Sequence, residues 1–240
     1  MQKAAKLIGH TPFDGRSKSF HMGSRGPWGN EGFHCNHDCS LRKQKRKVEM
    51  NITEAKKILG KKFSFTADFT NKVIQDLKLP QEAEVLDVGT GPGNMAIALA
   101  LNGYKVLTGE PEDDHSRYAK ENWHNSAKKV KVDHLIQFKA FDAKKMPFDG
   151  HTFDAIFFLG SLHHIDNDHR HDVLKECFRV CKSYGIICFF EPNQKMIKII
   201  KENDASHPNA ANPEAYTQGL SLTSKKVEGE FFDAFVLQKQ

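Results

Sequence analysis

Residues 85–93, VLDVGTGPG, set a carboxylate two residues ahead of three alternate glycines, Gly89, Gly91 and Gly93. An apolar, strand-like run leads into them, and a helix-like run, NMAIALALNG, follows at once. Glycines at such a junction let the backbone turn sharply and approach a ligand without a Cβ in the way. The helix behind them turns its first N–H groups towards the same place. Pro92 suits the first helical turn. A dinucleotide fingerprint would run G-x-G-x-x-G. Here the spacing is G-x-G-x-G, and Asn94 stands where that fingerprint has its third glycine. Asp87 would repel a pyrophosphate and attract an ammonium. The junction therefore suits a ligand with a cationic amino group and disfavours a nicotinamide oxidoreductase.

More candidate groups follow the next apolar runs. Glu110 closes KVLTGE, and Asp142 comes just after LIQFKAF. In an open parallel sheet, ligands bind beyond the carboxyl ends of the strands, so acids at successive strand ends face one site. His163 and His164 follow FDAIFFLGS directly. A neutral imidazole takes a proton from a hydroxyl or amine near pH 7, which makes these two the candidate catalytic bases. Consecutive residues do not share a face, so one of the two points into the site; His164 is favoured because polar residues follow it. Glu191 and Asn193 in the next loop are candidates for orienting an acceptor.

The elements that must position these groups are regular from residue 51 onward. ITEAKKILGKKF, with Thr53 as N-cap, and FTADFTNKVIQDLKLP predict two helices. Strand-like and helix-like runs then alternate: EVLDVG, NMAIALALNG, KVLTGE, DHSRYAKENWHNSAKK, LIQFKAF, FDAIFFLGS, RHDVLKECFRVCKSYG and GIICFFEP. NQKMIKIIKEN predicts a short helix, and residues 221–240 a terminal hairpin. Alternating units of this kind, with continuous apolar strands, predict an α/β fold: a doubly wound, mostly parallel sheet with helices on both faces.

This set of motifs resembles the class I S-adenosylmethionine-dependent methyltransferase family, over roughly residues 51–240, and within it the small-molecule branch. The resemblance implies a seven-stranded Rossmann-like sheet whose last strand is antiparallel. It implies S-adenosyl-L-methionine as cofactor, held by Asp87, Gly89, Thr90, Gly91, Gly93, Glu110, Asp142, Ala143 and Leu159. Glu110 would take both ribose hydroxyls, with Glu112 as the lesser candidate. Asp142 would meet the adenine amino group, and the backbone N–H of Ala143 the ring. The implied reaction is methyl transfer to a small-molecule acceptor. Nucleic-acid enzymes acting on amino groups often carry an Asn/Asp-Pro-Pro-aromatic motif after strand 4, where this chain reads GSLHHI.

Composition bounds the alternatives. The chain has 240 residues, 39% hydrophobic and 27% charged, enough for one α/β domain with an appendage. Residues 1–50 hold 10 Lys/Arg against 4 Asp/Glu, and the remainder 25 against 26. Basic character thus belongs to the front segment. Residues 1–48 read as a Gly-rich, basic, disordered tail, and 49–240 as the methyltransferase domain, with a helical cap at 51–80 and an α/β core at 81–240. An RNA or protein methyltransferase guided by that tail is the first alternative, and a non-catalytic cofactor- or metal-binding module the second. No apolar run is long enough for a membrane span and the first residues lack a signal-peptide core, so a cytoplasmic protein is expected. His34, Cys35, His37 and Cys39 match no standard metal spacing. Cys177 and Cys181 read as apolar filler on a packing helix rather than redox or arsenic ligands. No metal is expected. Phe63, Phe65 and Phe69 read as a mixture of core and acceptor-pocket lining.

Overall fold

The computed structural model describes residues 48–114 and 122–240. The expected tail at 1–48 lies outside the described residues apart from Val48, as does the first part of the helix expected at 114–129.

Two helices come first, α1 (Ile52–Leu59) and α2 (Lys61–Asp76). Asn51, rather than Thr53, caps α1. Its side chain accepts the Glu54 N–H at 3.0 Å, and the Glu54 carboxylate accepts the Asn51 N–H at 3.0 Å. This reciprocal box satisfies two otherwise orphaned donors, which a cap at Thr53 would not. Then follow β1 (Val85–Val88), α3 (Asn94–Leu101), β2 (Val106–Gly109), α4 (Trp123–Lys129), β3 (Ile136–Phe138), β4 (Phe153–Leu159), α5 (Asn167–Val180), β5 (Cys181–Pro192), α6 (Gln194–Asn203), β6 (Leu222–Val227) and β7 (Phe232–Lys239).

The seven strands form one sheet in the order β3-β2-β1-β4-β5-β7-β6. β1 to β5 run parallel, and β7 enters antiparallel beside β5, as expected of the terminal hairpin. Alternation along the strands feeds two apolar layers. Val85, Val106, Phe157 and Phe190 join the layer that packs α1, α2 and α3. Leu86, Leu107, Phe158 and Phe189 join the layer that packs α5. Burial on both faces explains why these strands read as unbroken apolar runs.

One boundary differs from the sequence reading. α5 stops at Val180 and Cys181 begins β5, pairing with Phe153 before a bulge moves the register to Ala155 opposite Ile186. Tyr184 there has φ 61°, and a Cβ on Gly185 would meet Cys181 Sγ at 2.6 Å, so the kink rests on Gly185. Lys239 fixes the helix end: its Nζ donates to the carbonyls of Phe178 (2.7 Å) and Cys181 (2.9 Å). A cation at the carboxyl end of a helix is favourably placed. Cys177 and Cys181 therefore do not share a helix face. Both are buried, with Cys188, and burial raises their thiol pKa values, that of Cys181 to about 12. Thiols held protonated are packing groups rather than nucleophiles.

Candidate cofactor and acceptor site

β1 delivers Asp87 to the middle of the sheet, with no exposed surface. The chain then makes three left-handed turns, with φ 90° at Gly89, 46° at Gly91 and 81° at Gly93, before α3 starts. Space is as demanding as torsion here. A Cβ on Gly89 would sit 2.8 Å from Ser161 Cβ, and one on Gly93 2.9 Å from Trp123 Cβ.

The acids expected from β1 and β2 meet around this loop. Asp87 is paired in register with Thr108, whose hydroxyl donates to Asp87 Oδ2 at 2.8 Å. Thr90 Oγ1 lies 2.9 Å from the Thr108 hydroxyl, tying the loop to β2. Glu110 is buried, and its Oε2 accepts the Gly91 N–H at 2.9 Å. Glu112 is exposed, so Glu110 is the acid at the glycine loop. Asp87 Oδ1 is buried and has no hydrogen-bond partner. Burial drives the Asp87 pKa up to about 8, the Glu110 charge adds to the rise, and the Thr108 hydrogen bond opposes it. A buried carboxylate with an unsatisfied oxygen is a seat for a cationic donor.

β3 sets the third acid. Phe141 N–H bonds to the Glu110 carbonyl at 3.2 Å, which brings Asp142 and the buried Ala143 beside the Glu110 strand end. Asp142 itself is exposed. Its Oδ1 accepts the Lys144 N–H at 2.8 Å, an Asx turn that shapes the loop. Leu159 ends β4, half-buried, one residue before Gly160.

A second group of side chains lies past β4 and β5. His163 is 4% exposed, and its Nδ1 sits 2.8 Å from Glu191 Oε2. His164 is exposed, with its ring centroid 4.2 Å from that of His163. Asn193 is committed elsewhere: it caps α6 and donates to the carbonyls of Gly229 and Glu230. On the other side of Gly160, Phe65, Phe69, Phe231 and Phe232 line a cavity of about 570 Å³. Phe63 is core, whereas Phe65 is 41% exposed. Gly160 joins the regions: a Cβ there would lie 3.7 Å from the Phe232 ring and 3.8 Å from the His163 ring.

Four contributors are not evident in the sequence. Thr108 is recognisable only once β1 and β2 are in register. Ser161, Phe231 and His207, whose ring centroid lies 5.1 Å from that of His163, reach the site from loops with no periodicity to mark them.

Residues 86–189 match the family described as "Methyltransferase domain". The chain is 30% identical over 120 residues to the 27-O-demethylrifamycin SV methyltransferase of Amycolatopsis mediterranei, covering 50% of this chain and 42% of that one. It is 36% identical over 108 residues to the ubiquinone/menaquinone biosynthesis C-methyltransferase of Desulfotalea psychrophila, covering 44% of this chain and 40% of that one. The chain thus spans about two fifths of the length of these curated relatives. The fold is similar to the crystal structure of the PH0226 protein from Pyrococcus horikoshii, with TM-score 0.62 at 18% identity, covering 77% of this chain and 94% of that one. The seven-stranded, mostly parallel sheet agrees with the fold of that neighbour. Residues 86–189 thus match a methyltransferase domain, and the chain is similar in fold to class I S-adenosylmethionine-dependent methyltransferases.

Proposed function

We propose that the protein transfers the methyl group of S-adenosyl-L-methionine to a small-molecule acceptor with a substantial apolar surface. The observation that carries this reading is the position of Gly160. A Cβ there would lie 3.7 Å from the ring of Phe232, a cavity-lining residue, and 3.8 Å from the His163 ring, one residue before Ser161 meets the glycine turn. Cofactor seat, polar pair and apolar cavity are thus contiguous. A methyltransferase and a C-methyltransferase that act in rifamycin and quinone chemistry are among the relatives, which supports the acceptor class.

The cofactor supplies an activated methyl on a sulfonium, so the protein's part is alignment and exclusion of water. Asp87 seats the amino group and Glu110 the ribose hydroxyls, with Asp142, Ala143 and Leu159 along the adenine side. Phe65 and Phe69 hold the acceptor's apolar face. Where the attacking atom carries a proton, an imidazole takes it. His163 is the better oriented, because Glu191 fixes its ring through Nδ1 and makes Nε2 the basic nitrogen. His164 remains the second candidate.

Methyl transfer to a panel of phenolic and polycyclic acceptors, read by mass spectrometry, tests the reading. With an acceptor in hand, Phe69→Ala is expected to raise KM roughly 10-fold with little change in kcat, because apolar burial is lost equally in ground and transition states. His163→Ala or His164→Ala is expected to lower kcat by roughly 10²-fold with cofactor affinity unchanged. Intact kcat in both histidine variants would leave alignment as the whole of catalysis.

Residues 49–240 are the folding unit. Val48 and Met50 pack against the core, and Glu49 pairs with Lys131 at 2.9 Å. A chain beginning at Val48 is expected to keep its Tm within about 2 °C, since shifts beyond that correspond to roughly 1 kcal/mol in a domain this size. A larger fall would put part of the front segment inside the fold.

A further inference from the structure

Beside the acceptor cavity, three histidines converge from two distant parts of the chain. His163 and His164 lie in the short turn after β4, and His207 in the irregular segment between α6 and β6. Each offers a ring nitrogen within 4.8 Å of the other two. The His207 ring centroid is 5.1 Å from both neighbours.

We propose that His163, His164 and His207 bind a divalent transition-metal ion of the imidazole-preferring class, of which zinc is the representative. Three imidazoles suit zinc, copper, nickel or iron rather than magnesium or calcium, which take oxygen ligands. Three protein ligands also leave a fourth tetrahedral position for water or a substrate heteroatom.

Three further features support the site. Histidines that ligate metals hand their other nitrogen to a carboxylate or carbonyl, which fixes the ring. His163 Nδ1 is 2.8 Å from Glu191 Oε2, and His207 Nδ1 is 2.9 Å from the Pro208 carbonyl. With Nδ1 so engaged, Nε2 of each ring would be the ligating nitrogen. Glu191 is 1% exposed, and its Oε1 is buried without a hydrogen-bond partner. A buried carboxylate in that state needs nearby positive charge, and an ion on the histidines supplies it. The loop is also pinned from the other side: Ala211 N–H donates to Glu191 Oε2 at 3.2 Å. An ion would tie the 204–212 segment to the turn after β4 and so hold that segment against the acceptor site. Zinc–imidazole bonds of about 2.0–2.1 Å require the nitrogens to draw together by up to about 1.5 Å. Rotation of the exposed His164 ring is the freest of these adjustments.

The inference departs from the sequence expectation of no metal, and binding itself does not depend on the methyl-transfer reading. If that reading holds, His163 Nε2 acts as base only in the metal-free protein, and an ion held there would instead polarise the acceptor heteroatom.

The test uses the full chain with zinc and cobalt(II) as probes, without cofactor or acceptor. After dialysis against metal and removal of excess, elemental analysis is expected to find about one equivalent in the wild type beyond any held by Cys35 and Cys39. Bound cobalt should give the intense visible bands of a four-coordinate site. His164→Ala, at an exposed position that folding tolerates, and His207→Gln should each weaken binding at least about tenfold and remove those bands. Glu191→Gln should weaken it roughly 10- to 100-fold. Double substitution Cys35→Ser/Cys39→Ser should leave the bands in place. Absence of bound metal in the wild type, retention of it in both His164→Ala and His207→Gln, or its loss only in the cysteine variant would overturn the proposal. Each of these failures would leave methyl transfer untouched.

Discussion

At pH 7, binding of S-adenosylmethionine should release a proton from the wild-type protein, and Asp87→Asn should abolish that release. Burial, aided by Glu110, raises the Asp87 pKa to about 8, so most of the ligand-free protein carries a neutral carboxyl there. The cofactor's ammonium favours the carboxylate, and the proton must leave. The same substitution removes a charge-assisted hydrogen bond worth roughly 1.5–3 kcal/mol, so affinity should fall roughly 10- to 150-fold. Calorimetry in buffers of different ionisation enthalpy measures both. Heats independent of buffer, or an Asp87→Asn protein of unchanged affinity, would remove Asp87 from the cofactor seat.

The stability of the ligand-free protein carries the matching signature. The folded pKa of Asp87 lies above its ordinary value of 3.8, so the native state binds more protons than the unfolded state between pH 4 and 8. Stability therefore falls as pH rises through that window, and the loss is complete above about 8. Asp87→Asn should flatten this slope.

The second large effect concerns Gly109, the last residue of β2. A Cβ there would lie 2.0 Å from the Lys139 carbonyl oxygen and 2.4 Å from the Phe141 ring. Neither neighbour can retreat freely. Lys139 N–H is held by the Thr108 carbonyl at 2.9 Å, and Phe141 is buried against the β1–β2 layer. Gly109→Ala should cost about 3 kcal/mol, at the upper end of overpacking, and lower Tm by roughly 10 °C. It should also weaken cofactor binding, because Glu110 is the next residue. A melt within about 2 °C of wild type would mean that β3 yields more easily than its hydrogen bonds suggest.

The glycine turn, the acids after β1 and β2 and the doubly wound, mostly parallel sheet are legible because each is written locally. Asp87 and Glu110 end apolar runs, and βα alternation leaves few topologies open. What escaped depends on contacts between distant segments. Thr108 looks like any strand threonine until register sets it opposite Asp87. His207 is 43 residues from His164, in a segment with no period, and only the return of the chain over β5 brings them together. The cavity was half visible: Phe65 and Phe69 lie on a readable helix, while Phe231 and Phe232 come from the hairpin. The α5–β5 boundary is hidden in the sequence because VCKSYG continues a helical pattern, whereas pairing of Cys181 with Phe153 ends it. The Phe141 hydrogen bond brings Asp142 beside Glu110, yet the Asp142 side chain is exposed and shared with Lys144.

The central claim is that the turn between β1 and α3, with Asp87 and Glu110, is a seat for S-adenosylmethionine. Titration of the wild-type protein with S-adenosylhomocysteine and, separately, with NAD tests it most directly. The account predicts one site for S-adenosylhomocysteine with micromolar-class affinity, about −8 kcal/mol, weakened by Asp87→Ala and by Glu110→Ala, and no binding of NAD. Clear binding of NAD with none of S-adenosylhomocysteine would contradict it.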